Sequence, residues 1–149
     1  TRQRGLSINL DDEKVQETGI IDMGFPDISG QERRLSELKG SVVMLDFTAL
    51  SLKGSQESTI ALRELYNKYH AQGREIYQVS LDPDEHQWKT LAHNLPWITV
   101  WNREGMANDI VQIYNLQQVP TWFLIDRGNN LVGRMELMGD VEQEIKKLL

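Results

Sequence analysis

The sequence predicts an α/β domain, a β-sheet layered with helices. Three observations predict it. Short apolar runs of strand length alternate with segments whose apolar residues recur at helical spacing, the last of these strands leads into a hairpin turn, and one more helical segment closes the chain. At 149 residues the length suits a single domain with a sizeable core.

Residues 1–18 are polar and rich in charge (Asp11, Asp12, Glu13, Lys14) and read as a linker or edge segment, which leaves 19–149 as the domain. Residues 19–23 predict a short strand. Residues 24–40 predict a loop with a helical turn at 35–38. An apolar strand at 42–47 enters a tight loop, and the helix after it places Leu62, Leu65, Tyr66 and Tyr69 on one face. Gly73 stops that helix and a strand follows at 75–81. Asp82-Pro83 is read as the next helix start, with Asp as N-cap and Pro at the first position. Trp88, Leu91, Ala92 and Leu95 supply the buried face of that helix. Residues 97–101 predict a short strand, and Met106, Ile110, Ile113 and Tyr114 a third helix. Residues 122–125 form a core strand, 127–130 (Arg-Gly-Asn-Asn) a hairpin turn and 131–136 the returning strand. Asp140 is expected to cap the final helix, whose apolar positions are Val141, Ile145, Leu148 and Leu149.

Composition narrows the function classes. Hydrophobic residues make up 40% and charged residues 26%, ordinary for a water-soluble globular domain. A net charge of −6 argues against nucleic acid or an anionic membrane surface as partner. No apolar run approaches the ~20 residues that span a bilayer. The chain opens on Thr1 and is expected to be a piece of a longer protein. With no cysteine, thiol content gives no guide to compartment.

The residues richest in chemistry lie at 45–55, Leu-Asp-Phe-Thr-Ala-Leu-Ser-Leu-Lys-Gly-Ser. Aligned without gaps, they resemble the thiol:disulfide-interchange segment L-D-F-W-A-S-W-C-x-x-C. Upstream, Phe25-Pro26-Asp27, Ser29-Gly30 and Leu35-Ser36-Glu37-Leu38-Lys39-Gly40 resemble the lead-in P-D-x-x-G-x-x-x-x-L-S-D-L-K-G of the same family. Downstream, Val79-Ser80-Leu81-Asp82 matches its second core strand. Val119-Pro120-Thr121-Trp122-Phe123-Leu124-Ile125-Asp126 resembles its V-P-T-x-F-L-I-D strand. Four motifs in order cover residues 25–136. The chain thus resembles the thioredoxin-like branch of the alkyl hydroperoxide reductase/thiol-specific antioxidant superfamily, typified by bacterial envelope thiol:disulfide interchange proteins. The resemblance implies a thioredoxin-like fold, a central mixed β-sheet flanked by helices on both faces. It also implies a cis bond before Pro120, and a location in the cell envelope or periplasm.

The departures from that family fall on its chemistry. Leu52, Lys53, Gly54 and Ser55 occupy the Cys-x-x-Cys positions, and Thr48 and Ser51 those of the flanking tryptophans. We read this as a natural cysteine-free variant. A second register, on the peroxiredoxin run D-F-T-F-V-C, places Ser51 at the peroxidatic position. A serine hydroxyl has neither thiolate character nor a sulfenic state, so both registers deny this chain thiol and peroxide chemistry. Asp46 matches the buried acid that relays protons in thioredoxins. Without a cysteine partner, an acid satisfied by a lysine or water is the better reading.

Other signals are thin. His86 and His93 lie two helical turns apart, ~10 Å at the usual rise, too far for one ion, so no metal or cofactor is expected. Lys53-Gly54-Ser55 has the wrong order for a phosphate loop. Ser51 and Ser55 lack a nucleophile-elbow context for a Ser–His–Asp triad. The four tryptophans, Trp88, Trp97, Trp101 and Trp122, read as core or rim packing, with a groove lining as the alternative. The resemblance leaves two function classes. One is a redox-inactive module that binds a polypeptide or protein partner in a groove formed by Thr48, Ser51, Leu52, Val119, Pro120 and Thr121, as part of a larger envelope protein. The other is an oxidoreductase-family domain working with cysteines from another domain or partner.

Overall fold

A computed structural model gives the architecture over residues 22–135 and 138–148. Seven strands and four helices follow in the order β1 (Gly24–Pro26), β2 (Glu32–Arg34), β3 (Val42–Thr48), α1 (Ser55–Tyr69), β4 (Arg74–Ser80), α2 (Glu85–Ala92), β5 (Ile98–Trp101), α3 (Asp109–Ile113), β6 (Thr121–Ile125), β7 (Leu131–Met135) and α4 (Met138–Leu148). The main sheet has the order β5-β4-β3-β6-β7. β3, β4 and β5 run parallel, and β6 and β7 join antiparallel, so the sheet is mixed as expected.

The central strand β3 is buried at every residue. Its alternate side chains therefore serve two cores, one on each face. On one face Met44, Ile76, Trp122 and Leu124 pack against Leu62, Leu65 and Tyr69 of α1 and Val141 and Ile145 of α4. On the other, Val43, Leu45, Phe47, Tyr77 and Phe123 pack against Ile110, Val111 and Tyr114. There the rings of Phe47, Tyr114 and Phe123 lie 5.1–5.9 Å apart in tilted and edge-on pairs.

The helical turn at Leu35–Leu38 forms as a 3₁₀ turn. Several other expectations are corrected. Residues 24–34 are not plain loop, because β1 and β2 pair as a small antiparallel hairpin. Met23 precedes its first strand, and residues 19–21 of the predicted strand lie outside the described residues. Asp82 is not a helix cap: Asp84 caps α2, its carboxylate accepting from the amide of His86 at 2.9 Å. Leu91 is 42% exposed, although Trp88 and Ala92 of the same helix are buried. The third predicted helix is split into a turn at Gly105–Ala107 and α3, whose cap Asn108 accepts from the amide of Ile110 at 2.9 Å. Met106 is consequently left exposed. The final helix begins at Met138, so Asp140 lies inside its first turn and not at the cap position before it. Glu136 and Leu149 lie outside the described residues.

Candidate functional site

The loop from Ala49 to Gly54 leaves β3 at the carboxyl ends of the parallel strands and enters α1, so the positions matching Cys-x-x-Cys sit at a helix N-terminus. The carbonyl of Ala49 accepts from the Leu52 amide at 3.1 Å and from the Ser55 hydroxyl at 2.7 Å. The Leu52 carbonyl accepts from the Ser55 amide at 3.1 Å. Gly54 completes the turn at φ +91°, a left-handed conformation that side chains disfavour even though open space surrounds it. Leu52, Lys53 and Gly54 project to solvent, Leu52 with 51% of its surface exposed, while Ser55 is half-buried.

Below the loop lies a residue the sequence reading assigned elsewhere. Asp82 is fully buried. Its two carboxylate oxygens accept from the Leu50 amide (2.9 Å), the Ser51 amide (2.8 Å), the Ser51 hydroxyl (2.6 Å) and the Ser80 hydroxyl. Its own carbonyl accepts from Trp101 Nε1 at 2.8 Å, and the Thr48 carbonyl accepts from the Leu81 amide at 2.7 Å. The loop is thus fastened to the end of β4 by hydrogen bonds to a charged acceptor, roughly twice as strong as neutral ones. A signal was present in the sequence: the acid directly follows a buried strand, where an unpaired carboxylate would be costly.

Across from the loop, Val119 and Pro120 lead into β6 through a cis peptide bond. Between the two lies an open cleft of about 160 Å³. Of the expected groove residues, Thr48, Leu52, Val119 and Pro120 line it, together with Lys53, Gly54 and Ser55. Two are not brought in. Ser51 is held against Asp82, and Thr121 is buried with its hydroxyl donating to the Gln118 carbonyl at 2.9 Å. No histidine hydrogen-bonds to Ser51, Ser55 or Asp82 among the described residues. His86 and His93 lie exposed on and beside α2, where the His93 ring meets the Thr90 carbonyl at 2.9 Å.

Asp46 lies three residues before the loop begins at Ala49 and is fully buried. It pairs in register with Gln78 of β4 and Trp122 of β6. Gln78 Nε2 donates to one carboxylate oxygen at 2.9 Å, and Gln78 Oε1 accepts from Trp97 Nε1 at 3.2 Å. The second oxygen has no hydrogen-bond partner, and the Trp122 indole N–H makes no aligned bond, although its nearness favours the charged form. Burial outweighs these contacts and raises the carboxyl pKa from 3.8 to about 7. Among the described residues no lysine hydrogen-bonds or pairs with this acid. The Gln78 amide supplies the hydrogen bond there, where a lysine was one of the expected partners.

Residues 40–131 match the sequence profile of a family described as thioredoxin-like. A solved structure of an uncharacterized thioredoxin-like protein from Bacteroides vulgatus is 48% identical, superposes with a TM-score of 0.80, and is matched over 87% of this chain and 86% of that one. Thiol-disulfide oxidoreductase ResA of Geobacillus kaustophilus is 30% identical over 112 residues, 74% of this chain and 63% of its own length. Nucleoredoxin of Xenopus laevis is 28% identical over 120 residues, 76% of this chain. The chain spans only 29% of that relative's length.

Proposed function

The chain belongs to the thioredoxin-like family, and from that premise we propose that it is a redox-inactive, polypeptide-binding module of a larger envelope protein. The observation that carries this reading is the cleft between Leu52 and Val119–Pro120. It stays open and part apolar while the positions that would hold sulfur are filled by Leu52 and Ser55. An extended polypeptide binds such a cleft through main-chain pairing and side-chain contact, neither of which needs a thiol. Disulfide exchange does need one, because a thiolate must attack sulfur, and this chain has no cysteine to supply it.

The test is binding of reduced, carboxamidomethylated α-lactalbumin, an unfolded chain with no free thiol, followed by calorimetry. The expected result is saturable binding that Leu52→Glu weakens and that dithiothreitol leaves unchanged. No binding, or binding indifferent to Leu52→Glu, sinks the reading. The reading in which another domain supplies the cysteines predicts instead that the intact parent protein reduces insulin disulfides and that this chain alone captures no unfolded polypeptide.

A further inference from the structure

Five large apolar side chains stand exposed among the described residues, and three of them, Leu52, Ile60 and Leu91, line two clefts that share Ser55. Ile60 and Leu91, at 58% and 42% exposure, face a second cleft of about 330 Å³ between α1 and α2, floored in part by Leu50. Leu52 lines the cleft beside Pro120. The two clefts share Ser55, and the loop that Asp82 fastens down lines both, through Leu52 in the first and Leu50 in the second. Apolar exposure concentrated in this way on a soluble domain marks a contact surface.

We infer that the ligand surface does not end at the Pro120 cleft but crosses the loop onto the Ile60–Leu91 cleft, and that one extended, apolar, uncharged polypeptide segment occupies both. This rests on the polypeptide-binding reading above and names the partner's chemistry. Continuity is the first argument, since the clefts share Ser55 and neighbouring residues of one loop, Leu50 and Leu52, line the two. Charge is the second. Among the described residues, Lys53 is the one charged residue lining either cleft, in a chain whose charged residues make up 26%. A segment carrying several charges would leave them desolvated without partners. The polar lining argues for a polypeptide over an acyl chain. Gln56 and Thr59 beside Ile60, and Ser58 beside Leu52, offer hydrogen bonds that a hydrocarbon cannot answer and a peptide backbone can. The fastened loop keeps the surface pre-formed, which limits the ordering cost of binding.

The experiment uses a capped, uncharged twelve-residue peptide of Leu, Val, Thr and Gln, about 40 Å when extended, titrated into isotope-labelled protein and followed by amide shifts. The expected result is perturbation of amides around both Leu52 and Ile60. The double variant Ile60→Glu/Leu91→Glu should bind about ten-fold more weakly, and a peptide with Ser at every Leu and Val should not bind. Both substituted residues are exposed, so an unchanged melting temperature certifies the fold. If only amides beside Leu52 and Pro120 shift, and the double variant binds as well as the parent, the extension is overturned while polypeptide binding stands. If neither this peptide nor unfolded α-lactalbumin binds, both readings fail. If laurate moves the same amides and the peptide does not, the occupant is an acyl chain and the inference is overturned.

Discussion

The Ser51 hydroxyl donates to Asp82 Oδ1 across 2.6 Å, joining residues 31 apart in sequence. In the thiol:disulfide-interchange segment that this stretch resembles, position 51 carries tryptophan. In this chain a small polar side chain there lets the loop close onto a buried carboxylate. The same oxygen takes the Ser51 amide, and its twin takes that of Leu50. One acid therefore fixes the loop that carries Leu52.

Removing that acid should loosen the loop more than removing the serine hydroxyl. Ser51→Ala loses one bond to a charged acceptor that keeps its other donors, a cost of about 1.5 kcal/mol. Asp82→Ala strands two loop amides and the Ser80 hydroxyl, a cost of about 3 kcal/mol or more. Hydrogen exchange supplies the check: the Leu50 and Ser51 amides should exchange much faster in Asp82→Ala, with protection in the β3 core less affected. Equal protection of those two amides in parent and variant would show that something else holds the loop.

Much of the fold was legible because its strands are apolar runs and its helices keep their period. The central strand, the helix after the loop and the hairpin near the carboxyl end all fall where those patterns place them. What escaped depends on contacts distant in sequence. Asp82 beside Pro83 has every local mark of a helix cap, yet its partners lie about thirty residues earlier, and Asp84 takes the cap instead. Leu91 fits a buried helical face by spacing, but spacing cannot distinguish a side chain facing the core from one facing a cleft. The first hairpin escaped because Glu32–Arg34 is charged and only three residues long. In the site, the positions matching Cys-x-x-Cys were legible from order alone, whereas the second cleft needed α1 and α2 to be placed side by side.

Arg74 is another residue that local pattern could not read. It opens β4 fully buried, and none of its three guanidinium nitrogens has a hydrogen-bond partner among the described residues. The neighbouring Glu75 carboxylate faces His70 at 3.5 Å instead. Burial lowers the guanidinium pKa to about 10, which still leaves it cationic at neutral pH. Arg74→Met, of similar length and apolar, should therefore stabilise the domain by about 1–3 kcal/mol. Denaturant melts measure it directly. A loss of stability would mean that the guanidinium finds an acceptor in solution.

Redox chemistry should be absent from the parent chain and partly restorable. The Ser55 amide donates to the Leu52 carbonyl at 3.1 Å, a turn that holds the ends of this four-residue stretch within ~7 Å, the outer limit for a disulfide. A helix N-terminus also favours the thiolate form of a cysteine placed there. Leu52→Cys/Ser55→Cys should form an intramolecular disulfide and turn over insulin disulfides, whereas the parent should match a blank without protein. Turnover of insulin disulfides or hydrogen peroxide by the parent, with contaminating thioredoxin excluded, would contradict the redox-inactive reading. A double variant unable to close its disulfide would contradict the turn geometry.

Asp46 predicts how stability should vary with pH. Its folded pKa of about 7 lies above the ordinary carboxylate value of 3.8, because burial penalises the charge more than the Gln78 amide supports it. Below pH 3.8 both folded and unfolded states hold the proton, and the group costs nothing. Between pH 3.8 and about 7 the unfolded chain ionises while the folded one does not, so stability falls with rising pH at up to about 1.4 kcal/mol per unit. Above pH 7 both states are ionised and the full cost persists. Asp46→Asn removes the titration and keeps an oxygen for the Gln78 amide. It should accordingly stabilise the protein by a few kcal/mol at pH 7.5 and change little at pH 4. Chemical denaturation of parent and variant at both pH values provides the measurement. If Asp46→Asn destabilises more at pH 7.5 than at pH 4, the folded carboxylate is charged and compensated, and the ordering of forces at this buried acid is the reverse.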